Sequence, residues 1–372
     1  MRIGVNARLL FTSKMEGMAR YTYETTFRMA QAHPEDDFYL FYDRTNRDQL
    51  IFPSNVKHIT IPLPTRHPIL WYIWFEVLLP VYLKMHKIDI LYSGDGYMSL
   101  RTKVPTVMVI HDLAYKHFKD HVSKPILKYY EKYTPLFLKK AAKIITVSNF
   151  VKGDIIQQFD IQQDNIIVAY NAVGPLRKTK NNIKVSNIIE DITHHKPYFL
   201  YIGAIHPRKN VVRMIDAFES FNKNHHQKYK LIIAGRLAWK TREIEDKINQ
   251  SQNTIHAGFI TEDEKIALTD NAFCLLYVSL FEGFGIPIIE AMASGIPVIT
   301  SNVSSMPEIA GDAALLADPN DADAIAACME KLASDKSLYN KLREKGQKRA
   351  KEFDWDESAQ KIYSALFQSV RK

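Results

Sequence analysis

The segment Ser279-Leu280-Phe281-Glu282-Gly283-Phe284-Gly285-Ile286-Pro287 carries the residues best suited to chemistry. It begins where a strand pattern, Phe273–Val278, ends. Gly283 and Gly285, on either side of Phe284, allow close approach to the backbone. Ile286 then opens a helix with Pro287 in its first turn, where proline is tolerated. The N-terminus of such a helix offers unpaired N–H groups and a positive dipole end, which suit a phosphate. Glu282 stands in the loop and Glu290 lies eight residues on, two turns into the helix. Two carboxylates so placed can bind sugar hydroxyls at different depths of one cleft.

Three other segments share this strand-end position. In Gly203-Ala204-Ile205-His206-Pro207-Arg208-Lys209-Asn210, the adjacent Arg208 and Lys209 suit a diphosphate, one as a fork and one as a point charge. Arg236, after the strand Lys230–Ala234, either joins them or lies on the surface. His111, at the end of Thr106–Ile110, is expected to donate hydrogen bonds to a sugar or phosphate. Asp112 is expected to orient it or to meet a substrate hydroxyl. Gly17, in Lys14-Met15-Glu16-Gly17-Met18-Ala19-Arg20-Tyr21, would let a phosphate meet a helix N-terminus, with Glu16 and Arg20 beside it.

Other chemistries leave no trace. The first loop has one glycine where a dinucleotide fingerprint needs three, and no Walker A, His-Glu-x-x-His or Gly-x-Ser-x-Gly pattern occurs. Asp321-Ala-Asp323 and Asp354-Trp-Asp356 could hold a divalent metal on a nucleotide diphosphate. Both precede helical patterns, so they read as N-caps, and no metal or other cofactor is expected. No zinc-finger spacing, aromatic RNA-binding signature or basic heptad helix appears, so nucleic acid is not an expected partner.

The elements that must position these groups alternate between strand and helix. Strands are expected at Ile3–Asn6, Phe38–Tyr42, His58–Ile61, Asp89–Tyr92, Thr106–Ile110, Lys143–Val147 and Ile166–Val168, with helices near 17–31, 70–86, 125–141 and 149–158. A polar stretch around 172–196, containing Asn181, Asn182 and Asn187, reads as a linker. The alternation then restarts at Tyr198–Gly203 and runs to a last helix near 355–370. This is an α/β pattern of two doubly wound, Rossmann-like domains, 1–172 and 197–354, joined by 173–196. Ligands of such folds bind at the carboxyl ends of the strands, so a cleft between two facing domains is the expected site.

Composition fits a soluble globular chain: of 372 residues, 46% are hydrophobic and 24% charged. The net charge of +8 is unevenly spread, because residues 1–180 hold 25 basic and 16 acidic residues. That basic half favours a polyanion or an anionic membrane surface. Cys274 and Cys328 read as two buried core thiols rather than a disulfide framework, which points to the cytoplasm. The opening residues run straight into a strand pattern, so no signal peptide is expected.

Taken together, the motifs resemble glycosyltransferase family 4, with its GT-B fold, over nearly the whole chain. The carriers are Glu282-x7-Glu290 with its Gly-Phe-Gly loop, Arg208-Lys209-Asn210 and His111-Asp112. The resemblance implies transfer of a sugar from a nucleotide-diphosphate donor, with retention of configuration and without an essential metal. It implies that Glu290 holds the donor ribose, that Glu282 contacts the transferred sugar, and that Arg208 and Lys209 neutralise the leaving diphosphate. Phe284 and Gly285 would supply phosphate-binding amides, His111 would contact the sugar and Gly17 the diphosphate. The helix at 355–372 would cross back onto the first domain. Two departures stand out. Glu16 precedes Gly17 where many members have paired glycines, and Gly203-Ala204 stands where many have Gly-Arg. The second basic group is therefore left open between Arg208 and Arg236. The opening Gly4-Val5-Asn6-Ala7-Arg8 and the stretch Arg66–Tyr72 look most like a mannosyltransferase branch acting on bacterial surface polysaccharides. GDP-mannose is thus the expected donor, and a glycan or lipid-linked molecule the expected acceptor.

Ile69–Leu83 is rich in Trp, Tyr, Phe and Leu, but is interrupted by Glu76 and Pro80 and reads as too short to span a bilayer. It reads either as a buried helix or as an acceptor-side, membrane-facing one. With the basic first half, it leads to an expectation of peripheral binding to the inner face of an anionic membrane. Competing readings are a transferase using a UDP-sugar, a GT-B nucleotide-sugar epimerase, and a non-catalytic nucleotide-sugar-binding protein. An epimerase changes the donor without an acceptor, and a scaffold turns nothing over.

Overall fold

The computed structural model describes residues 1–11, 17–45, 50–174 and 193–370. Glu16 and residues 175–192 of the expected linker lie outside the described residues. The chain divides into two compact units, Met1–Asn171 with Asp354–Lys372, and Ala172–Phe353.

The first unit holds β1 (Arg2–Asn6), β2 (Asp37–Tyr42), β3 (Val56–Thr60), β4 (Ile90–Ser93), β5 (Thr106–Ile110), β6 (Lys143–Thr146) and β7 (Ile166–Val168). They form one sheet in the order β3-β2-β1-β4-β5-β6-β7, and every pairing is parallel. β4 and β5 are buried at every residue, which is why they read as continuous apolar runs rather than alternating ones. The covering helices are α1 (Gly17–Ala32), α2 (Pro68–Met85), α3 (Ala114–His117), α4 (Lys124–Lys140) and α5 (Asn149–Phe159).

α2 corrects the sequence reading. It is one continuous 18-residue helix, long and apolar enough by length and composition to cross a bilayer. Pro80 does not break it, because Trp74–Leu78 form a π turn in which the Leu79 N–H reaches back to the Trp74 carbonyl. The widened turn takes up the misfit that proline brings by lacking an N–H and crowding the turn before it. The inner face sinks Trp74, Phe75, Leu79 and Leu83 into the core. Trp71 joins them and donates from Nε1 to the Thr65 carbonyl at 2.9 Å.

The second unit holds β8 (Tyr198–Ile202), β9 (Lys230–Ala234), β10 (Thr254–Gly258), β11 (Cys274–Tyr277), β12 (Val298–Ser301) and β13 (Leu315–Ala317). They run parallel in the order β10-β9-β8-β11-β12-β13. Its helices are α6 (Val211–Asn224), α7 (Arg242–Gln250), α8 (Glu262–Asp270), α9 (Ile286–Ala293), α10 (Met306–Ala310), α11 (Ala322–Ser334) and α12 (Lys336–Ala350).

The chain ends in α13 (Trp355–Val370), which packs on α1 in the first unit. Arg28 Nε lies 2.9 Å from Asp356 Oδ1, the Tyr363 hydroxyl donates to Asp36 at 2.6 Å, and Tyr363 stacks on His33. Both Asp-x-Asp triplets are helix caps. Asp321 Oδ1 accepts from the amides of Asp323 and Ala324, and Asp354 Oδ1 from those of Asp356 and Glu357. Cys274 is buried, but Cys328 is only half-buried, a correction to the expected pair of core thiols; both are free. Cys328 sits on α11, whose buried residues are Ile325, Met329 and Leu332, one turn apart on the inner face.

Candidate active site

Strand order reverses direction between β1 and β4 in the first sheet and between β8 and β11 in the second. At such switch points the loops leave in opposite directions and open a crevice at the carboxyl ends of the strands. In the second unit, the loops that leave β8 and β11 carry Arg208, Lys209 and Glu282.

Those loops are pinned together by hydrogen bonds. After β8 the chain makes a tight turn at Pro207–Lys209, closed by Asn210 in a left-handed conformation (φ 63°). Asparagine tolerates that conformation better than most residues. Its side-chain amide donates to the carbonyls of Val278 (3.0 Å) and Pro319 (2.7 Å), so the turn is clamped against the end of β11. The Leu280 amide donates to the Arg208 carbonyl at 2.9 Å, and Arg208 Nη1 donates to the Phe281 carbonyl at 3.0 Å.

This clamp brings Lys209 onto Glu282. Lys209 Nζ lies 2.5 Å from Glu282 Oε1 and 3.0 Å from the Tyr277 hydroxyl, which itself donates to Glu282 Oε1 at 3.0 Å. The Glu282 and Lys209 side chains are 10% and 12% exposed, so solvent screens the pair little. Burial alone would raise the Glu282 pKa, but Lys209 and Arg208 outweigh it and bring it down to about 2. Burial and the neighbouring Glu282 push the Tyr277 phenol well above its usual range, so it stays a hydrogen-bond donor.

The glycine-rich turn is held from below. Ser305 Oγ donates to the carbonyls of Glu282 (2.9 Å) and Phe284 (3.1 Å), and the Glu282 amide donates to Ser304 Oγ at 3.1 Å. Gly285 caps α9 at φ 96°, where a Cβ would meet Ile288 at 3.0 Å. Phe284 is buried edge-on against Phe353. Glu290, on α9, accepts from Lys265 Nζ at 2.7 Å, and Lys265 also lies 3.0 Å from Glu262. Burial opposes the Lys265 charge, but the two carboxylates more than offset it and raise its pKa. At the next strand end, a Cβ on Gly235 would fall 1.9 Å from the Gly203 carbonyl oxygen, so the loops after β8 and β9 touch backbone to backbone. Arg236 follows directly, and its carbonyl accepts from the Ile205 amide at 2.9 Å.

The first unit places Gly17, Arg20, His111 and Asp112. Gly17 begins α1, and a Cβ there would meet no atom within 4 Å. Arg20 lies 3.6 Å from Glu24 one turn along α1. The structure corrects the expected role of His111. Its Nε2 is 2.8 Å from the Gly94 carbonyl, which can only accept, so Nε2 carries the proton. Burial lowers its pKa, so the ring is neutral near pH 7 and Nδ1 is a hydrogen-bond acceptor rather than a donor. The Gly94 carbonyl fixes the ring, and Asp112 Oδ1 accepts from the Ala114 amide at 2.9 Å at the start of α3. Turnover is therefore expected to be insensitive to His111 from pH 8 down to its usual value of about 6.5, and to fall only below that, as protonation turns Nδ1 into a donor. A pH–rate profile that loses an acid limb in His111→Asn checks this.

Sequence reading had not assigned roles to Tyr277, Lys265, Gly94 or the Ser304-Ser305 pair. Lys265 has a local partner in Glu262, three residues before it on a helix, and Tyr277 one in Glu282, five residues on; Gly94 and the Ser304-Ser305 pair meet partners brought close by the sheet.

Two parallel Rossmann-like units with this charge cluster at a switch point form the GT-B architecture. Accordingly, the structure is similar throughout to sucrose-phosphate synthase of Thermosynechococcus elongatus, with a TM-score of 0.76 at 16% identity over 99% of this chain and 98% of that one. The family models "Glycosyltransferase Family 4" and "Glycosyl transferases group 1" match residues 15–175 and 183–349. The chain belongs to glycosyltransferase family 4 and is a glycosyltransferase. It is 27% identical to O-antigen chain mannosyltransferase B of Escherichia coli over 92% of this chain and 93% of that protein. It is also 27% identical to the O-antigen chain mannosyltransferase RfbU of Salmonella typhimurium, over 72% and 71% of the two chains.

Proposed function

We propose that the protein moves mannose from GDP-mannose, with retention of configuration, to a glycan or lipid-linked acceptor in surface-polysaccharide synthesis. The observation that carries the reaction is the buried Lys209–Glu282 pair at the switch point of the second sheet. Breaking the anomeric bond separates charge into an oxocarbenium-like sugar and a diphosphate gaining negative charge. A fixed carboxylate and a fixed ammonium beside each other match that separation without reorganising as it develops. The donor assignment is supported by the mannosyltransferase relatives and by the opening Gly4–Arg8 motif.

Glu282 is poorly suited to act as a nucleophile. Its low pKa makes the carboxylate a weak nucleophile, and the bonds from Lys209 and Tyr277, both to Oε1, hold it in place as a fixed charge. The departing phosphate is therefore the base that takes the acceptor's proton on the same face of the sugar. Glu290 and Lys265 form the polar pair offered to the donor ribose.

Thermal-shift measurements with GDP-mannose, GDP, UDP-glucose, UDP-N-acetylglucosamine and UDP test the donor. At about a hundredfold over its dissociation constant, a ligand adds roughly 2.7 kcal/mol of apparent stability. Stabilisation by GDP and GDP-mannose alone is the expected result. Stabilisation by a uridine nucleotide overturns the donor while leaving the reaction class intact.

A further inference from the structure

We propose that the outer face of α2, with the lysine row of α4 beside it, docks this protein onto an anionic lipid bilayer. The inference does not depend on which sugar is moved.

The outward positions of α2 are Ile69, Ile73, Val77, Val81 and Met85, exposed by 63%, 36%, 44%, 60% and 59%. They recur every fourth residue, so they stack along one side of the helix over roughly 24 Å. A surface helix of a globular protein normally turns charged residues outward and apolar ones inward. Here the helix's one acid is turned inward. Glu76 is buried and accepts from the amides of Leu100 (2.7 Å) and Arg101 (2.9 Å). From Ile69 to Val81 every exposed side chain is aliphatic, and only Lys84 near the end is charged. Tyr72 and Tyr82 are half-buried at the edges of the stripe, the position in which a ring with an apolar body and a polar tip sits at a membrane surface.

Charge beside the stripe selects the occupant. α4 packs next to α2 through Trp71 against Tyr129 (5.2 Å between ring centres) and Tyr72 against Tyr133 (6.4 Å). Its exposed positions include Lys124, Lys128, Lys132 and Lys139, spaced at helical intervals, with Leu136 exposed among them. Glu131, its one exposed acid, lies 3.2 Å from Lys119. Arg101 adds a further exposed cation, 3.2 Å from the Tyr72 hydroxyl. An aliphatic stripe bordered by lysines is matched by acyl chains under anionic headgroups, each basic group adding attraction near the surface. A second copy of the chain suits it less well, because a two-fold contact on this patch brings two lysine rows together. Insertion across the bilayer does not fit, since it would strip Trp74, Phe75 and Glu76 from the core of the first unit.

The test is co-sedimentation of the full chain, at low salt, with vesicles of phosphatidylcholine alone and of equal parts phosphatidylcholine and phosphatidylglycerol. Wild type is expected to pellet with the anionic vesicles and to be released by high salt. Val77→Asp with Val81→Asp is expected to weaken binding about tenfold or more, because burying a valine is worth roughly a decade in an equilibrium constant. Lys128→Glu with Lys132→Glu is expected to abolish the preference for anionic vesicles. Both variants change only exposed side chains, and an unaltered thermal midpoint shows that they fold. Equal recovery with both vesicles overturns the proposal, as does unchanged binding by the valine variant. A dimer in light scattering that the valine variant dissociates also overturns it and assigns the face to a second copy.

Discussion

Lys209→Met is expected to lower kcat by about a thousandfold while weakening donor binding far less. The ammonium is held by Glu282 Oε1 and the Tyr277 hydroxyl, so it is already in place before charge moves. A preorganised donor of this kind is worth about two to three orders of magnitude when removed. The variant also removes the partner of a buried carboxylate, at a cost of order 3 kcal/mol of stability. Activity is therefore read well below the variant's thermal midpoint. Its pH dependence distinguishes lost charge from lost fold. In the wild type, Glu282 falls from its ordinary 4.5 to about 2 on folding. A depressed carboxylate contributes stability that is fully present above its unfolded pKa and lost as pH falls toward the folded one. Without Lys209, Arg208 is left to oppose burial, the folded pKa rises, and the acid limb of both stability and turnover moves to higher pH. A loss of kcat of less than tenfold with an unmoved acid limb contradicts the role.

The order of elements was readable because parallel strands buried on both faces are short apolar runs bounded by turns. Thr106–Ile110 and Lys230–Ala234 fall at the bounds that their composition suggests. Residues following strand ends were readable for a related reason, since open α/β sheets gather ligands there. What escaped was everything set by a partner distant in sequence. His111 reads as a donor until β4, which pairs directly with β5, delivers the Gly94 carbonyl to its Nε2. Lys209 and Glu282 are 73 residues apart, and the Asn210 clamp on Val278 with the Arg208 bonds to Leu280 and Phe281 explains why they meet. Pro80 reads as a helix breaker because the π turn that absorbs it has no simple sequence signature.

Glu282→Gln is expected to reduce kcat by about a hundredfold to a thousandfold with the fold intact. The amide is the same size as the carboxylate and can still accept from Lys209 and Tyr277, so the geometry survives while the negative charge beside the sugar is lost. The deficit is therefore electrostatic and should scarcely alter the donor's thermal shift. It is also expected to be non-additive with Lys209→Met: once one member of the pair is gone, removing the other costs much less, as for groups that act as a unit. Chemistry through a covalent sugar on Glu282 makes a different forecast, since the carboxylate would then be the attacking atom. Incubating wild type with a slow 2-fluoro donor and weighing the intact protein separates the two. No added sugar mass at Glu282, alongside a non-additive cycle, is the outcome that same-face transfer requires. A stable adduct on Glu282 would mean that its second carboxylate oxygen attacks while Lys209 and Tyr277 hold Oε1, and the ion pair would then position a nucleophile rather than stabilise a separated charge.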